Sequence, residues 1–281
     1  MTFCALSSAK GMDIRMKMMD FCHNLKLPEK AAESAVNHAI SEKQYQNLKH
    51  LYQKEHQQFY QRILKGLEPE KVFLSFYCRL ACDTYEEYKI RKIDEQIFWD
   101  TFQDIRLWCD NCFRETGKYG IAEYQWFWRL FEMKVFRLGR LEFEIMNAEK
   151  QIKGNGISIE AGEPIINIHI PEGEALSRTA CGESLKRAHE WFGAKQKFIC
   201  YSWLLYPGLN EILAAESNII HFQNRFHLIK TDYQEREAEK RIFGWIAENI
   251  TAYPDHTRLQ KRARQYLLSG RALGKGWGLL K

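Results

Sequence analysis

The spacing of apolar residues changes once along this chain, near Lys134, and that change limits what the chain can fold into. Before it, apolar residues recur every three or four positions. Tyr45, Leu48, Leu51, Tyr52, Phe59, Ile63 and Leu64 form one such run, and Val72, Phe73, Phe76, Tyr77, Leu80 and Ala81 another. Ile97, Phe98, Phe102, Ile105 and Trp108 form a third. This is the period of one helical face. Pro28 with Glu29 opens a helix reaching about His38, Ser41 and Glu42 open a longer one ending near Gly66, and Pro69 opens the next. Asp94 caps a further helix that Gly117 stops, and a short aromatic helix covers Glu123–Met133. After Lys134 the runs read as strands: Val135–Met146, Ile165–Ile170, Lys197–Leu205 and Ile219–Ile229. The Asn155-Gly156 pair in KGNG marks a tight turn. Helices are expected at Ala180–Phe192, Leu209–Ala215, Asp232–Asn249 and Arg258–Leu268, with GWGLLK as an edge strand. Strands alternating with helices of this length imply a mixed sheet. The expected class is α+β, with an all-helical N-terminal domain over residues 1–124 and a mixed α/β sheet domain over residues 125–281.

With 45% hydrophobic and 14% aromatic residues, the 281-residue chain can build a sizeable core, which excludes a disordered chain. No apolar run approaches the roughly 18 residues that span a bilayer. At the N-terminus, Lys10, Asp13, Arg15 and Lys17 interrupt the apolar residues, so neither a membrane span nor a secretory leader is expected and the cytoplasm is the expected location. A net charge of +5 is too mild to identify a nucleic-acid binder. The end of the chain is basic, with Arg258, Lys261, Arg262, Arg264, Arg271, Lys275 and Lys281 against Asp255 alone. It lacks interleaved exposed aromatics and any recognised reader motif, so nucleic acid is not an expected partner. The eight cysteines are scattered, as reduced thiols are. Cys78 and Cys82 at i, i+4, with Cys109 and Cys112 at i, i+3, could surround zinc if their helices faced each other. Small buried thiols in helix interiors fit the same spacing, and no metal is expected.

Several segments carry a resemblance. FRLGRLEFE (Phe136–Glu144), IINIHIPEG (Ile165–Gly173), ACGESLKRAHEWF (Ala180–Phe192), FICYSWLL (Phe198–Leu205), SNIIHFQNRF (Ser217–Phe226) and LQKRARQYLLSGRALGKGWGLL (Leu259–Leu280) are the strongest. DIRLW (Asp104–Trp108) and the region Gly117–Phe127 add to them. Together they resemble a family of bacterial acyltransferase domain-containing proteins, which pair a helical N-terminal domain with a GNAT-like C-terminal domain. The resemblance implies an N-acyltransferase that uses acyl-coenzyme A as co-substrate and a small-molecule or peptide amine as acceptor. A non-catalytic GNAT-like binding or regulatory module stands beside it, because fold alone does not establish chemistry.

The same resemblance implies where the site lies. GNAT phosphates sit between a central strand and the next helix, where unpaired N–H groups and the helix dipole meet them. Here that place is Pro171–Ser184, with Gly173, Arg178, Thr179, Gly182 and Ser184 as candidate cofactor-binding residues. The usual Gln/Arg-x-x-Gly-x-Gly/Ala pattern is absent: Arg178 to Gly182 is one residue too long, and Ser184 replaces the small last residue. For the chemical step, the amine must lose a proton and the leaving thiolate gains one. His169, on the same strand face as Asn167, is the candidate base, with Glu142 and Glu144 on the preceding strand as others. A Tyr just beyond the next strand is the family's acid, which points to Tyr206 and, second, to Tyr201. Ser202 completes the candidate catalytic set, on the opposite face with Cys200.

Overall fold

The computed structural model describes the backbone of residues 3–38 and 40–281 and the side chains of residues 14–38 and 40–281. Met1 and Thr2, part of the segment read for a leader, lie outside the described residues. Contacts divide the chain into two compact units, Met1–Arg137 and Leu138–Lys281.

The first unit contains α1 (Phe3–Asn24), α2 (Glu29–Asn37), α3 (Glu42–Lys54), α4 (His56–Leu64), α5 (Pro69–Ile90), α6 (Glu95–Thr116), α7 (Trp128–Phe131) and the short strand β1 (Val135–Arg137). The helix starts follow from capping chemistry. Ser41 and Gln44 form a capping box on α3, Asp94 accepts from the Gln96 N–H on α6, and Pro69 opens α5. Gly117, at φ +72, ends α6 in the left-handed conformation that only glycine adopts without strain. The single long helix expected from Ser41 to Gly66 is two, because Glu55 leaves the helical conformation at φ −156 and caps α4 through the Gln57 N–H. At the centre of the unit lies α5, its Phe73, Phe76 and Tyr77 each 1% exposed or less. Tyr77 stacks on Phe127 at 4.7 Å and donates its hydroxyl to the Tyr124 carbonyl at 2.7 Å. Each such ring contributes about 1.5–3 kcal/mol by burial. Cys78 lies 4.0 Å from Cys22, sulfur to sulfur, and both are fully buried. Burial pushes the Cys82 and Cys109 thiols up to about 12. Among the described residues no three His, Cys, Asp or Glu gather as a metal-ligand group. No described helix is long and apolar enough to cross a membrane.

The second unit contains β2 (Glu142–Asn147), β3 (Ile152–Gly154), β4 (Ile157–Ile159), β5 (Pro164–His169), α8 (Arg178–Phe192), β6 (Phe198–Ser202), α9 (Leu209–Ile212), α10 (Asn218–Gln223), β7 (Phe226–Asp232), α11 (Glu237–Phe243), α12 (Arg258–Leu268) and β8 (Lys275–Leu280). Its sheet runs in the order β2-β5-β6-β8-β7, and β5 with β6 is the parallel pair among otherwise antiparallel neighbours. The strand expected over Val135–Met146 is interrupted at 138–141, where Gly139 takes φ +87 and the Leu138 N–H donates to the Leu141 carbonyl. In place of one strand over Ile219–Ile229, Ser217 caps α10 and β7 begins only at Phe226. The helix expected over Asp232–Asn249 is confined to α11, which Gly244 ends at φ +89. GWGLLK is an inner strand, with β6 on one side and β7 on the other. Its glycines explain the position. A Cβ on Gly276 would lie 2.3 Å from the Leu205 carbonyl oxygen, and one on Gly278 would lie 2.8 Å from the Leu205 side chain. The 203–205 turn therefore packs directly on this strand.

The β3–β4 hairpin turns through Asn155 and Gly156, both at positive φ, as the sequence pair implies. Its Ile152 and Ile159 join Ile165, Ile199 and Ile229 in a buried cluster on one sheet face. The opposite face carries Phe143 and Phe198, against which α8 packs Phe192, with centroids 6.2 Å from each. A second buried cluster, with Tyr206, Leu209, Phe243, Tyr253 and Leu267, holds α9, α11 and α12 together.

Candidate active site

Strand register decides which candidates meet. Residues directly opposite each other across a ladder share a face, and alternate residues along a strand share a face. Glu142 pairs with His169 and Glu144 with Asn167, Asn167 pairs with Ile199, and Tyr201 pairs with Trp277. Glu144, Asn167, His169, Tyr201 and Trp277 therefore share one face, and Cys200 and Ser202 lie on the other. On the shared face the apolar cluster under the hairpin gives way to a polar strip. The β5–β6 register covers only Ile166↔Phe198 and Asn167↔Ile199, although β5 continues to His169 and β6 to Ser202. The parallel strands thus part at their C-terminal ends, beside the polar strip.

At that opening the imidazole of His169 is held. Its Nε2 lies 2.8 Å from Glu144 Oε2 and 3.2 Å from Asn167 Nδ2. The Glu144 side chain is 7% exposed and that of His169 is 27% exposed, so the carboxylate is sunk while the ring reaches the surface. In the tautomer whose Nε2–H donates to Glu144, Nδ1 carries the lone pair a general base needs, and Asn167 Nδ2, itself a donor, makes no hydrogen bond to that Nε2. Tyr201 donates its hydroxyl to Asp232 Oδ2 at 2.9 Å, stacks on Trp277 at 4.1 Å, and has Lys275 Nζ 4.3 Å from its ring centroid. Burial pushes the Tyr201 phenol up, while Lys275 draws it down. Asp232 is held below its usual value, first by the Gln234 backbone N–H and then by Tyr201. Lys275 is itself 3% exposed and paired with Glu235 and Glu237.

The strand-to-helix connection after β5 brings a second set together. Ser177 caps α8 by accepting from the Ala180 N–H at 3.2 Å, which leaves the first turn's other N–H groups facing outward with Arg178 and Thr179 exposed beside them. Gly173 sits in the preceding loop at φ +98, a conformation that favours glycine. Two cations that the sequence did not single out converge here. Arg140 donates to the Glu174 and Ala175 carbonyls, at 2.8 and 3.2 Å, and so fixes the loop. Arg225 donates to the Arg178 carbonyl at 2.8 Å, and its guanidinium lies 3.5 Å from where a Cβ on Gly182 would stand. A Cβ at Gly182 would be in ordinary van der Waals contact with Arg225, so the guanidinium packs beside the helix start without requiring the glycine.

Three candidates are engaged elsewhere. Ser184 is 1% exposed; its hydroxyl donates to the Leu138 carbonyl at 2.7 Å and accepts from the Leu141 N–H at 3.0 Å, pinning the 138–141 turn. Ser202 caps the 203–205 turn by accepting from the Leu204 N–H. Tyr206 lies in the cluster of α9, α11 and α12, where its hydroxyl donates to the Ala272 carbonyl at 2.9 Å and meets the Tyr266 hydroxyl at 3.1 Å. Burial, and then Tyr266, raise its phenol well above the usual tyrosine value. The structure thus brings His169 and Tyr201 to one face, gathers Gly173, Arg178, Thr179 and Gly182 around the start of α8, and commits the hydroxyls of Ser184, Ser202 and Tyr206 to backbone partners.

Comparison with known proteins supplies the wider frame. A search of curated proteins gives no match. Among solved structures, an acyltransferase in complex with decanoyl-CoA and teicoplanin is similar over 93% of this chain and 86% of that one, at 21% identity and a TM-score of 0.75. An acyltransferase mutant in complex with octanoyl-CoA has the same coverage and identity with a TM-score of 0.74. A third structure, with CoA and 10C-teicoplanin, gives 0.73. At that identity the likeness is one of fold. Family models match both parts of the chain: an N-acyltransferase N-terminal domain over residues 16–133 and a GNAT-like C-terminal domain over residues 135–280. The helical layer, the parted parallel strands and the family match agree, and the chain belongs to the family of acyltransferases that join this N-terminal domain to a GNAT-like C-terminal domain.

Proposed function

We propose that the protein is an N-acyltransferase that moves an acyl group from acyl-coenzyme A to an amine, with His169 as base. The observation that carries this reading is the Glu144–His169 pair standing where β5 and β6 part. The amine nitrogen attacks the thioester carbonyl, His169 Nδ1 accepts the proton the amine must shed, and Glu144 stabilises the imidazolium that forms. The carbon–sulfur bond then breaks. Tyr201 turns its hydroxyl proton from Asp232 to the departing thiolate, and Lys275, over its ring, offsets the phenolate charge that forms. The pyrophosphate lies against the N-terminus of α8, where free N–H groups, the helix dipole, Arg178 and Arg225 supply positive charge. This uses a charge cluster in place of the family's tighter glycine pattern, which the chain lacks. Solved relatives bind decanoyl-CoA, octanoyl-CoA and teicoplanin, which supports a medium-chain acyl donor and an amine on a small molecule or peptide.

Release of free coenzyme A thiol from decanoyl-CoA, followed with and without a panel of amines that includes teicoplanin, tests the reading. Amine-dependent release that falls by about 10²–10⁴ in His169→Gln is the expected outcome. Binding of decanoyl-CoA without release for any amine would favour the non-catalytic module instead.

A further inference from the structure

A cleft of 630 Å³ opens in the helical unit among α3, the start of α4, α5 and residues 131–133. Every residue lining it precedes Arg137, so it belongs to that unit alone. Its size lies within the range of small-molecule sites.

The charged groups in it fall into two sets. Lys49 Nζ meets Asp83 Oδ2 at 2.6 Å, and His56 Nε2 meets Glu132 Oε1 at 3.4 Å. Glu87, in the last turn of α5, and Arg91, its C-cap, have exposed side chains and make no ion pair or side-chain hydrogen bond among the described residues. The Gln53 carboxamide is likewise unengaged. Tyr52, also lining the cleft, is 3% exposed and its buried hydroxyl has no hydrogen-bond partner among the described residues. A native fold seldom leaves a buried hydroxyl unsatisfied without reason. Leu80, Phe131 and Met133 supply an apolar wall. The cleft therefore offers one carboxylate, one guanidinium and one carboxamide beside a greasy surface. Its basic residues, Lys49, His56 and Arg91, equal its acidic ones, Asp83, Glu87 and Glu132, so it favours neither a simple anion nor a simple cation.

We propose that this cleft binds a short zwitterionic peptide. Glu87 takes the terminal ammonium, and Arg91 takes the terminal carboxylate through the paired N–H groups that suit that shape. Gln53 meets the peptide amide, and an apolar side chain rests on Leu80, Phe131 and Met133. Neighbouring groups on one helical face stand about 5–6 Å apart at Cβ, which lets long side chains embrace a dipeptide-sized ligand. Glu87 and Arg91 attract each other only weakly at this spacing, so a ligand that meets both displaces little.

Calorimetric titration of the full-length protein with leucyl-leucine, its N-acetyl form and its C-terminal amide tests the proposal. Saturable binding of the free dipeptide, weakened at least tenfold by either cap, is expected. In Glu87→Gln the free dipeptide should bind no better than the N-acetyl form. In Arg91→Met it should bind no better than the amide. Both positions are solvent-exposed, and an unchanged thermal melt establishes that each variant is folded. No heat from the free dipeptide at millimolar concentration, equal binding of the capped forms, or unchanged binding in both variants would overturn it. The readout is binding, so loss of acyl transfer in the other unit would leave the result intact.

Discussion

At the residue scale, hydrogen-bond partners separate side chains of the same type. Ser184 and Ser177 lie in one segment and look equally suited to a phosphate. Ser177 caps α8, while Ser184 is sealed against the 138–141 turn. Ser184→Ala leaves a buried carbonyl and a buried N–H unpaired, so it should lower stability by roughly 1–3 kcal/mol in a denaturant titration. Acyl-CoA affinity corrected for the folded fraction should not change. A variant as stable as the wild type with weakened cofactor binding would return Ser184 to the phosphate site. In the proposed mechanism Glu144 acts through His169, and Glu144→Gln keeps its size while removing the charge that would favour the imidazolium. It should lower kcat by about tenfold or more, with little change in KM and a shift in the pH–rate profile. An unchanged kcat and pH–rate profile would remove Glu144 from the mechanism. His169 and Glu144 were legible as candidates because strand alternation puts each on a polar strand face, but their diagonal meeting, one pair off the direct Glu142–His169 register, was not. Arg140 and Arg225 were not, since each reaches the α8 start from dozens of residues away in sequence and by backbone-directed contacts that no spacing encodes.

Elements were legible where local chemistry settled them and obscure where tertiary contacts did. Ser41, Asp94, Pro69 and Gly117 frame their helices as caps and stops should. GWGLLK reads as an edge because glycine weakens a strand, yet it lies inside the sheet because Leu205 packs onto Gly276 and Gly278. The α11 region shows the same limit: apolar spacing suggested a long helix, but the segment is organised by a buried carboxylate. Glu239 accepts from Arg236 at 2.5 Å and from the Tyr253 hydroxyl at 2.6 Å, and Arg236 also donates to the Ala247 carbonyl. Burial alone would raise the Glu239 carboxyl, but the hydrogen bonds from Arg236 and Tyr253 outweigh it and hold it below its usual value. A lowered acid contributes stability above its unfolded value, near 4.5, and loses that contribution as pH falls through the folded value. Glu239→Gln should therefore lower stability by roughly 1–3 kcal/mol at pH 7. Its Tm deficit should shrink as pH falls through the lowered folded-state value, where the wild-type carboxyl also becomes protonated. A deficit independent of pH would mean that the loss is one of packing and not of charge.

For the molecule as a whole, the turnover from helical to alternating spacing near Lys134 is the sequence's plainest statement, and contacts divide the chain at Arg137 and Leu138. The two family models match on either side of residue 134. What spacing could not supply is the joining of strand ends into a site: the parting of β5 from β6, and the sharing of one face by His169, Tyr201 and Trp277, depend on register. The central claim is that positive charge at the α8 start receives the pyrophosphate of an acyl-coenzyme A. Direct calorimetry of decanoyl-CoA with the folded protein measures this most simply. The account predicts one saturable site, weakened about 10–100-fold in Arg178→Glu, the range set by the 1.5–3 kcal/mol of a charged hydrogen bond. Absence of binding heat with acetyl-, octanoyl- and decanoyl-CoA would contradict it.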